Sequence, residues 1–96
     1  MRSRYIVTYD VSDPKRLRRV FKIMKGYGAH LQFSVFSCDL TSMTLVRLKA
    51  ELREAIDAFE DAVLLVDVGP TDGRGTTSFE CLGRATRPPE REPVIV

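Results

Sequence analysis

The sequence predicts an α+β fold, and three patterns in its 96 residues support this prediction. Two apolar runs, at residues 5–9 and 62–68, are rich in β-branched residues and typical of buried strands. Two amphipathic segments with helical spacing lie between these runs. A stretch of period-two alternation separates the two segments and predicts further strands. The resulting order is the ferredoxin-like βαββαβ arrangement, here with an extra C-terminal strand and arm.

The size and composition of the chain indicate one small domain. A hydrophobic content of 44% over 96 residues supports a single core, close to the size at which dimerisation aids stability. In a βαββαβ sheet both helices lie on one face, and a second copy of the sheet is the simplest cover for the other face. We therefore expect a homodimer.

The charge pattern is more informative than the net charge, which is only +2. Residues 15–25 contain six cations and no acid, whereas acids dominate residues 51–61. One face of the domain can therefore be strongly positive.

The cysteine and histidine content argues against a structural zinc site, because Cys38 and Cys81 lie far apart and His30 is the only histidine. We interpret both cysteines as buried residues of a protein in a reducing compartment. The sequence has no apolar segment long enough to span a bilayer, so no membrane association is expected. These features predict a cytoplasmic protein.

The first strand, Tyr5 to Asp10, is predicted to be the central strand of the sheet, and it ends at an acid. Catalytic residues often follow the carboxyl ends of strands, because side chains there project past the edge of the sheet. Asp10 is therefore the candidate catalytic residue. The alternative is that Asp10 only stabilises the turn through local hydrogen bonds.

A helix should begin at the next turn, with Asp13 as its N-cap and Pro14 in its first position, and end at Gly26 or Gly28. Its predicted core stripe comprises Leu17, Val20, Phe21 and Met24. Its other side carries a basic row: Lys15, Arg18, Lys22 and Lys25, flanked by Arg16 and Arg19. The absence of interleaved acids favours anion binding, although an ordinary solvated helix face remains the alternative.

The alternation between Ala29 and Leu40 changes phase near Ser34, which predicts two strands separated by a bulge or a tight turn. A second helix should begin at Thr41 or Ser42 and bury a stripe of Leu45, Leu48, Leu52, Ile56 and Phe59. A buried strand at 62–68, a loop, and a weaker edge strand at 77–82 complete the predicted domain, residues 1–82.

Residues 83–96 form a proline-containing arm whose tip is Val94-Ile95-Val96. Its polar, proline-rich part cannot pack as regular structure, whereas the apolar tip is suited to adding a strand to a neighbouring sheet. We expect these three residues to dock on a partner.

Taken together, these residues resemble the CRISPR-associated protein 2 family, the small dimeric proteins of spacer acquisition. The matching motifs are Tyr9-Asp10-Val11, the basic first helix ending in Lys25-Gly26-Tyr27-Gly28, and Gln32-Phe33-Ser34-Val35-Phe36. The chain departs from the family pattern at two positions: His30 stands where Arg is common, and Ser37 stands where Glu is common.

The resemblance implies a homodimer in which the two Asp10 carboxylates hold a divalent ion, usually magnesium, for phosphodiester cleavage of RNA or DNA. It also implies that the dimer binds duplex DNA and bridges dimers of the CRISPR integrase in a prokaryotic cytoplasm. Phosphate contacts would come from Arg16, Arg18 and Arg19, with Lys15 and Lys22 in the same row and His30 as a weaker contact. The arm would meet the integrase.

Three other functional classes remain open. One is a scaffold without catalysis of its own, which binds nucleic acid independently of sequence and in a salt-sensitive way. Another is a small-molecule regulatory domain of the βαββαβ class, for which the sequence shows no polar pocket. The last is a single-strand RNA-recognition module of the same fold class, which is disfavoured because Ala29 and Gln32 occupy the positions that need stacking aromatics.

Overall fold

In this computed structural model the chain forms a four-stranded sheet with two helices. The structure describes residues 1–72, together with residues 80, 82 and 83. Its elements are β1 (Ser3–Asp10), α1 (Pro14–Lys25), β2 (Ala29–Gln32), β3 (Val35–Leu40), α2 (Ser42–Ala55) and β4 (Ala62–Pro70). This order confirms the predicted ferredoxin-like arrangement. The weaker strand and the arm predicted after residue 76 lie, apart from residues 80, 82 and 83, outside the described residues.

The strands are arranged in the order β2-β3-β1-β4, and neighbouring strands are antiparallel. Strand β1 is therefore central, as predicted. Alternate side chains of the sheet point towards the helices, and those of Val7, Phe36 and Cys38 are completely buried. They pack against the buried residues of α1 and α2, which are Val20, Met24, Leu48, Leu52 and Ala55.

Both helices begin at the predicted caps. Asp13 accepts a hydrogen bond from the Arg16 backbone N–H at 2.9 Å, and Pro14 occupies the first turn of α1. Thr41 and its partner Thr44 form a capping box at the start of α2. Helix α1 ends at Lys25 with Gly26 as its C-cap, so the predicted end is also confirmed.

Gly28 packs tightly against β3. A Cβ atom at this position would overlap the backbone oxygen of Ser37 and lie 2.5 Å from Cys38 Sγ. The close approach of the chain entering β2 to β3 therefore requires a glycine.

The predicted break near Ser34 is a two-residue turn, Phe33–Ser34, between β2 and β3. Phe33 has a φ of +38°, the left-handed region that a bulky side chain rarely adopts. The Tyr9 backbone N–H donates to the Ser34 carbonyl at 3.2 Å, which places the turn beside the carboxyl end of β1.

The predicted boundary of the second helix is wrong. Helix α2 ends at Ala55, and Phe59, expected in its core stripe, is 100% exposed. The cause is local: the Asp57 side chain accepts hydrogen bonds from the backbone N–H groups of Phe59 and Glu60, which stabilises a turn in place of another helical turn.

No described helix or strand covers the sheet face away from the helices. This open face is formed by Arg4, Ile6, Thr8 and Asp10 of β1, by alternate residues of β3, and by Ala62, Leu64 and Val66 of β4. Leu64 is 61% exposed and Val66 is 42% exposed, so the expectation of a fully buried fourth strand is wrong for one protomer. Within the part of the chain that the structure describes, neither helix is long and apolar enough to cross a membrane.

Candidate functional site

Asp10 is the last residue of β1, and its side chain is exposed at one end of the open face. It lies across from Ala62 of β4 in the sheet register. Among the described residues, no group of three His, Cys, Asp or Glu side chains is close enough to hold a metal ion. The exposed Asp10 carboxylate is an oxygen ligand of the kind that magnesium prefers.

The turn after Asp10 is fixed by a carboxylate that contacts four donors. The Asp61 side chain accepts hydrogen bonds from Arg16 Nε at 2.8 Å and Arg16 Nη2 at 3.2 Å. It also accepts from the backbone N–H groups of Asp57 at 2.8 Å and Ser12 at 3.2 Å. These contacts join the start of α1 to the residue before β4, and so hold the segment that follows Asp10.

The same contacts determine the ionisation of Asp61. The Arg16 guanidinium, followed by the Asp57 backbone N–H, lowers the pKa of Asp61 from 3.8 to about 2. A depressed carboxyl pKa contributes stability that is complete above the unfolded-state value. This contribution is lost as the pH falls towards the folded-state value. It should therefore disappear between about pH 4 and pH 2.

Replacing Asp61 with Asn should lower the thermal denaturation midpoint by at least about 5 °C at neutral pH, because Arg16 loses its carboxylate partner. The difference from the wild type should shrink as the pH falls from 4 to 2. Circular dichroism melts across this range measure both effects. Glu54→Gln, which removes an exposed acid of α2, is the control. Equal melting of the two variants would contradict a structural role for Asp61.

The predicted basic row divides into two groups in the structure. Lys15, Arg18, Arg19, Lys22 and Lys25 are exposed along α1 and are available to a ligand. Arg16 is different, because it forms the ion pair with Asp61 and lies 3.6 Å from Glu60 Oε1. Its guanidinium is therefore already occupied by carboxylates.

His30 lies on the helix side of β2, away from the open face that carries Asp10. Its ring is 5.2 Å from the Phe21 ring and 4.9 Å from the Phe36 ring. His30 Nε2 lies 2.6 Å from the Phe33 carbonyl oxygen. Because a carbonyl can only accept, this nitrogen is the donor. The structure thus places His30 beside α1 and the β2–β3 turn, and not beside Asp10.

Cys38 contributes no nucleophile. It is completely buried under the helices, and burial raises the pKa of its thiol to about 12. This confirms that Cys38 is a core residue, whereas Cys81 lies outside the described residues.

Comparison with known proteins places these features in a family. The sequence profile described as "CRISPR associated protein Cas2" matches residues 1–73. The chain belongs to the Cas2 family. A Cas2 endoribonuclease of Rhodospirillum rubrum is 42% identical over 92 residues, which cover 96% of this chain and 89% of the relative. Another, of Geobacter sulfurreducens, is 38% identical over 92 residues, which cover 96% of both proteins.

Solved structures support the same assignment. Cas2 of Streptococcus pyogenes matches with a TM-score of 0.73 and 35% identity, covering 83% of this chain and 99% of that protein. A hypothetical protein of Thermus thermophilus matches with a TM-score of 0.79 and 30% identity, covering 94% of this chain and 100% of that protein. The fold and the family assignment are thus confirmed together.

Sequence reasoning missed two residues of this Cas2-family domain. Asp61 lies in the acidic stretch 51–61, and its position directly before an apolar strand could have placed it at the same end of the sheet as Asp10. Phe33 was named only within the Gln32–Phe36 motif, and its exposure follows from the turn that the phase change predicts.

Proposed function

We propose that this chain is a homodimeric CRISPR adaptation protein. In this proposal the dimer binds duplex DNA, bridges integrase dimers during spacer acquisition and cleaves phosphodiesters with magnesium at a shared pair of Asp10 carboxylates. The observation that carries the proposal is the exposed position of Asp10 at the edge of an uncovered, partly apolar sheet face. Membership of the Cas2 family supports it.

The open face supports dimerisation through the sheet. Leu64 and Val66 leave apolar area in water that a second copy of the same surface would bury. Arg4 and Asp39 form a two-bond ion pair at the opposite end of this face, with distances of 2.7 and 3.0 Å. A two-fold axis near the Asp10 end would bring the two carboxylates together.

The donor set at that axis fits magnesium. Two carboxylates, waters and a substrate phosphate are the hard oxygen ligands that this ion prefers. When bound, the ion would activate water and neutralise charge on the phosphate. The role of the chain is to present each Asp10 from a strand end, with the Asp61 contacts holding the following turn. Because Cys38 is buried and its thiol pKa is raised, it does not compete as a nucleophile.

The exposed cations of α1 are the proposed phosphate contacts. Lys15, Arg18, Arg19 and Lys22 would neutralise phosphates without reading sequence. We assign Arg16 a smaller role in phosphate binding than its position in the basic row suggests, because its guanidinium is already paired with Asp61. His30 would reach a phosphate only on the helix side of the domain.

A non-catalytic scaffold is the second candidate function, and the exposed cations of α1 support it because they can bind phosphates without any catalytic group. The word endoribonuclease in the names of both bacterial relatives favours cleavage of RNA. The arm tip, Val94 to Val96, lies outside the described residues and remains the proposed docking strand for the integrase.

The dimer proposal is tested by Leu64→Glu, which places a charge on β4, at an exposed apolar position of the open face. We expect the dimer to weaken by at least about tenfold, because two buried carboxylates would face an apolar surface. Sedimentation velocity measures the dissociation constant, and gel shifts measure duplex binding. Val46→Glu, at an exposed apolar residue of α2, is the control. A Leu64→Glu variant that remains a tight, DNA-binding dimer would contradict the proposed interface.

A further inference from the structure

A large cavity lies on the helix side of the domain, between α1 and the β2–β3 turn. Its volume is about 980 Å³, and most of its wall is carbon. The residues that line it are Tyr9, Leu17, Arg18, Arg19, Phe21, Lys22, Lys25, His30, Phe33 and Ser34. Four of these side chains are cations and none is a carboxylate. This basic cavity is therefore suited to a ligand that combines negative charge with an apolar, flat body.

Phe33 is the most unusual residue of the basic cavity. Its side chain is 90% exposed although it is aromatic, and its backbone is in the left-handed region at a φ of +38°. Such a conformation persists in a bulky residue only when its surroundings hold it in place. The hydrogen bond from His30 Nε2 to the Phe33 carbonyl provides this restraint. His30 in turn contacts the Phe21 and Phe36 rings, which also contact each other.

The neighbouring aromatic rings are not equally available. Phe21 has the Lys25 ammonium 5.6 Å from its ring centroid, and its ring contacts both His30 and Phe36. Phe33 is the aromatic of the cavity wall that is almost fully exposed. Its ring is thus the surface on which a flat ligand could stack.

We propose that the basic cavity binds an unpaired nucleobase of single-stranded nucleic acid. The base stacks on the Phe33 ring, and the adjoining phosphates contact Arg18, Lys22 and Lys25. Charge selects the occupant, since four cations without a carboxylate favour a polyanion. Stacking selects the unpaired state, because the bases of a duplex already stack on one another.

This site is separate from the open face that carries Asp10. The inference rests on the proposed function only because both use the cations of α1. The two sites nevertheless meet at one end of the sheet. The hydrogen bond from the Tyr9 N–H to the Ser34 carbonyl fixes the turn beside the strand end that carries Asp10. A bound single strand would therefore lie near the end of β1.

The test compares three variants by fluorescence anisotropy with labelled oligomers of about 10 nucleotides, one oligothymidine and one oligouridine. Phe33→Leu keeps apolar bulk but removes the aromatic face, so it should weaken single-strand binding by about tenfold. Phe33→Trp should restore binding or strengthen it. Phe59→Leu, at an equally exposed phenylalanine outside the cavity, should change nothing. All three should bind a blunt duplex like the wild type.

An abasic oligomer with the same number of phosphates supplies the second comparison. It should bind the wild type about as weakly as the oligothymidine binds Phe33→Leu, because the stacking partner is missing in both cases. Equal wild-type affinity for abasic and base-containing oligomers would overturn the proposal. So would a Phe33→Leu variant that loses duplex and single-strand binding equally, or one that changes only the oligomeric state, which would assign Phe33 to a contact between copies of the chain. Duplex affinity reports separately on the proposed function.

Discussion

We expect Asp10→Asn to lose magnesium-dependent cleavage of RNA or DNA, with a fall in rate of at least about a hundredfold. The substitution removes one metal-binding charge from each protomer and keeps the size of the side chain. Asp10 is exposed at the end of β1, so its replacement leaves the core unchanged. Duplex affinity should stay equal or rise slightly, because a negative charge near the phosphates is lost.

The measurement is cleavage of labelled RNA and DNA with magnesium and with EDTA, alongside gel shifts on uncleaved duplex. Asp67→Asn is the matched control, since it neutralises another exposed acid, on neighbouring β4. Cleavage that survives in Asp10→Asn would contradict the shared metal site. A wild type that binds duplex but never cleaves would instead support the scaffold. Loss of duplex binding in Asp10→Asn would make Asp10 a residue of the fold or interface.

The features that the sequence predicted are those determined by local patterns. The apolar run ending at Asp10, the Asp13-Pro14 start of α1 and the phase change near Ser34 each depend on a few consecutive residues. Capping, proline geometry and strand alternation act over that range, so they can be recognised without tertiary information. The element order then follows, and with it the fold class.

The features that sequence reasoning missed depend on residues distant in the chain. Arg16 looked like one more cation of the basic row, yet its partner Asp61 is 45 residues away. No local pattern identifies that partner, and the ion pair removes Arg16 from the set of free cations. The prediction that Phe59 is buried was wrong for a local reason. The apolar spacing of α2 continues past Ala55, but the Asp57 side chain stabilises a turn there.

The division of the basic row leads to a second large effect. Replacing both Arg18 and Arg19 with Ala should reduce duplex affinity by roughly a hundredfold at low salt, because up to about four phosphate contacts are lost per dimer. The slope of log affinity against log salt concentration should then shrink by up to about 3.6 units. Folding should be unaffected, since both side chains are exposed on α1.

A salt titration of duplex binding provides the test, with Arg47→Ala plus Arg53→Ala as the control. These two arginines are also exposed, but they lie on α2, so removing them changes the net charge equally and should leave most of the slope intact. Arg16→Ala should behave differently from either pair, because it breaks the contact with Asp61 and lowers the melting temperature. If the α1 variant kept the full salt slope, the exposed cations of α1 would face only water. If both double variants lost the same slope, DNA binding would depend on net charge and not on α1.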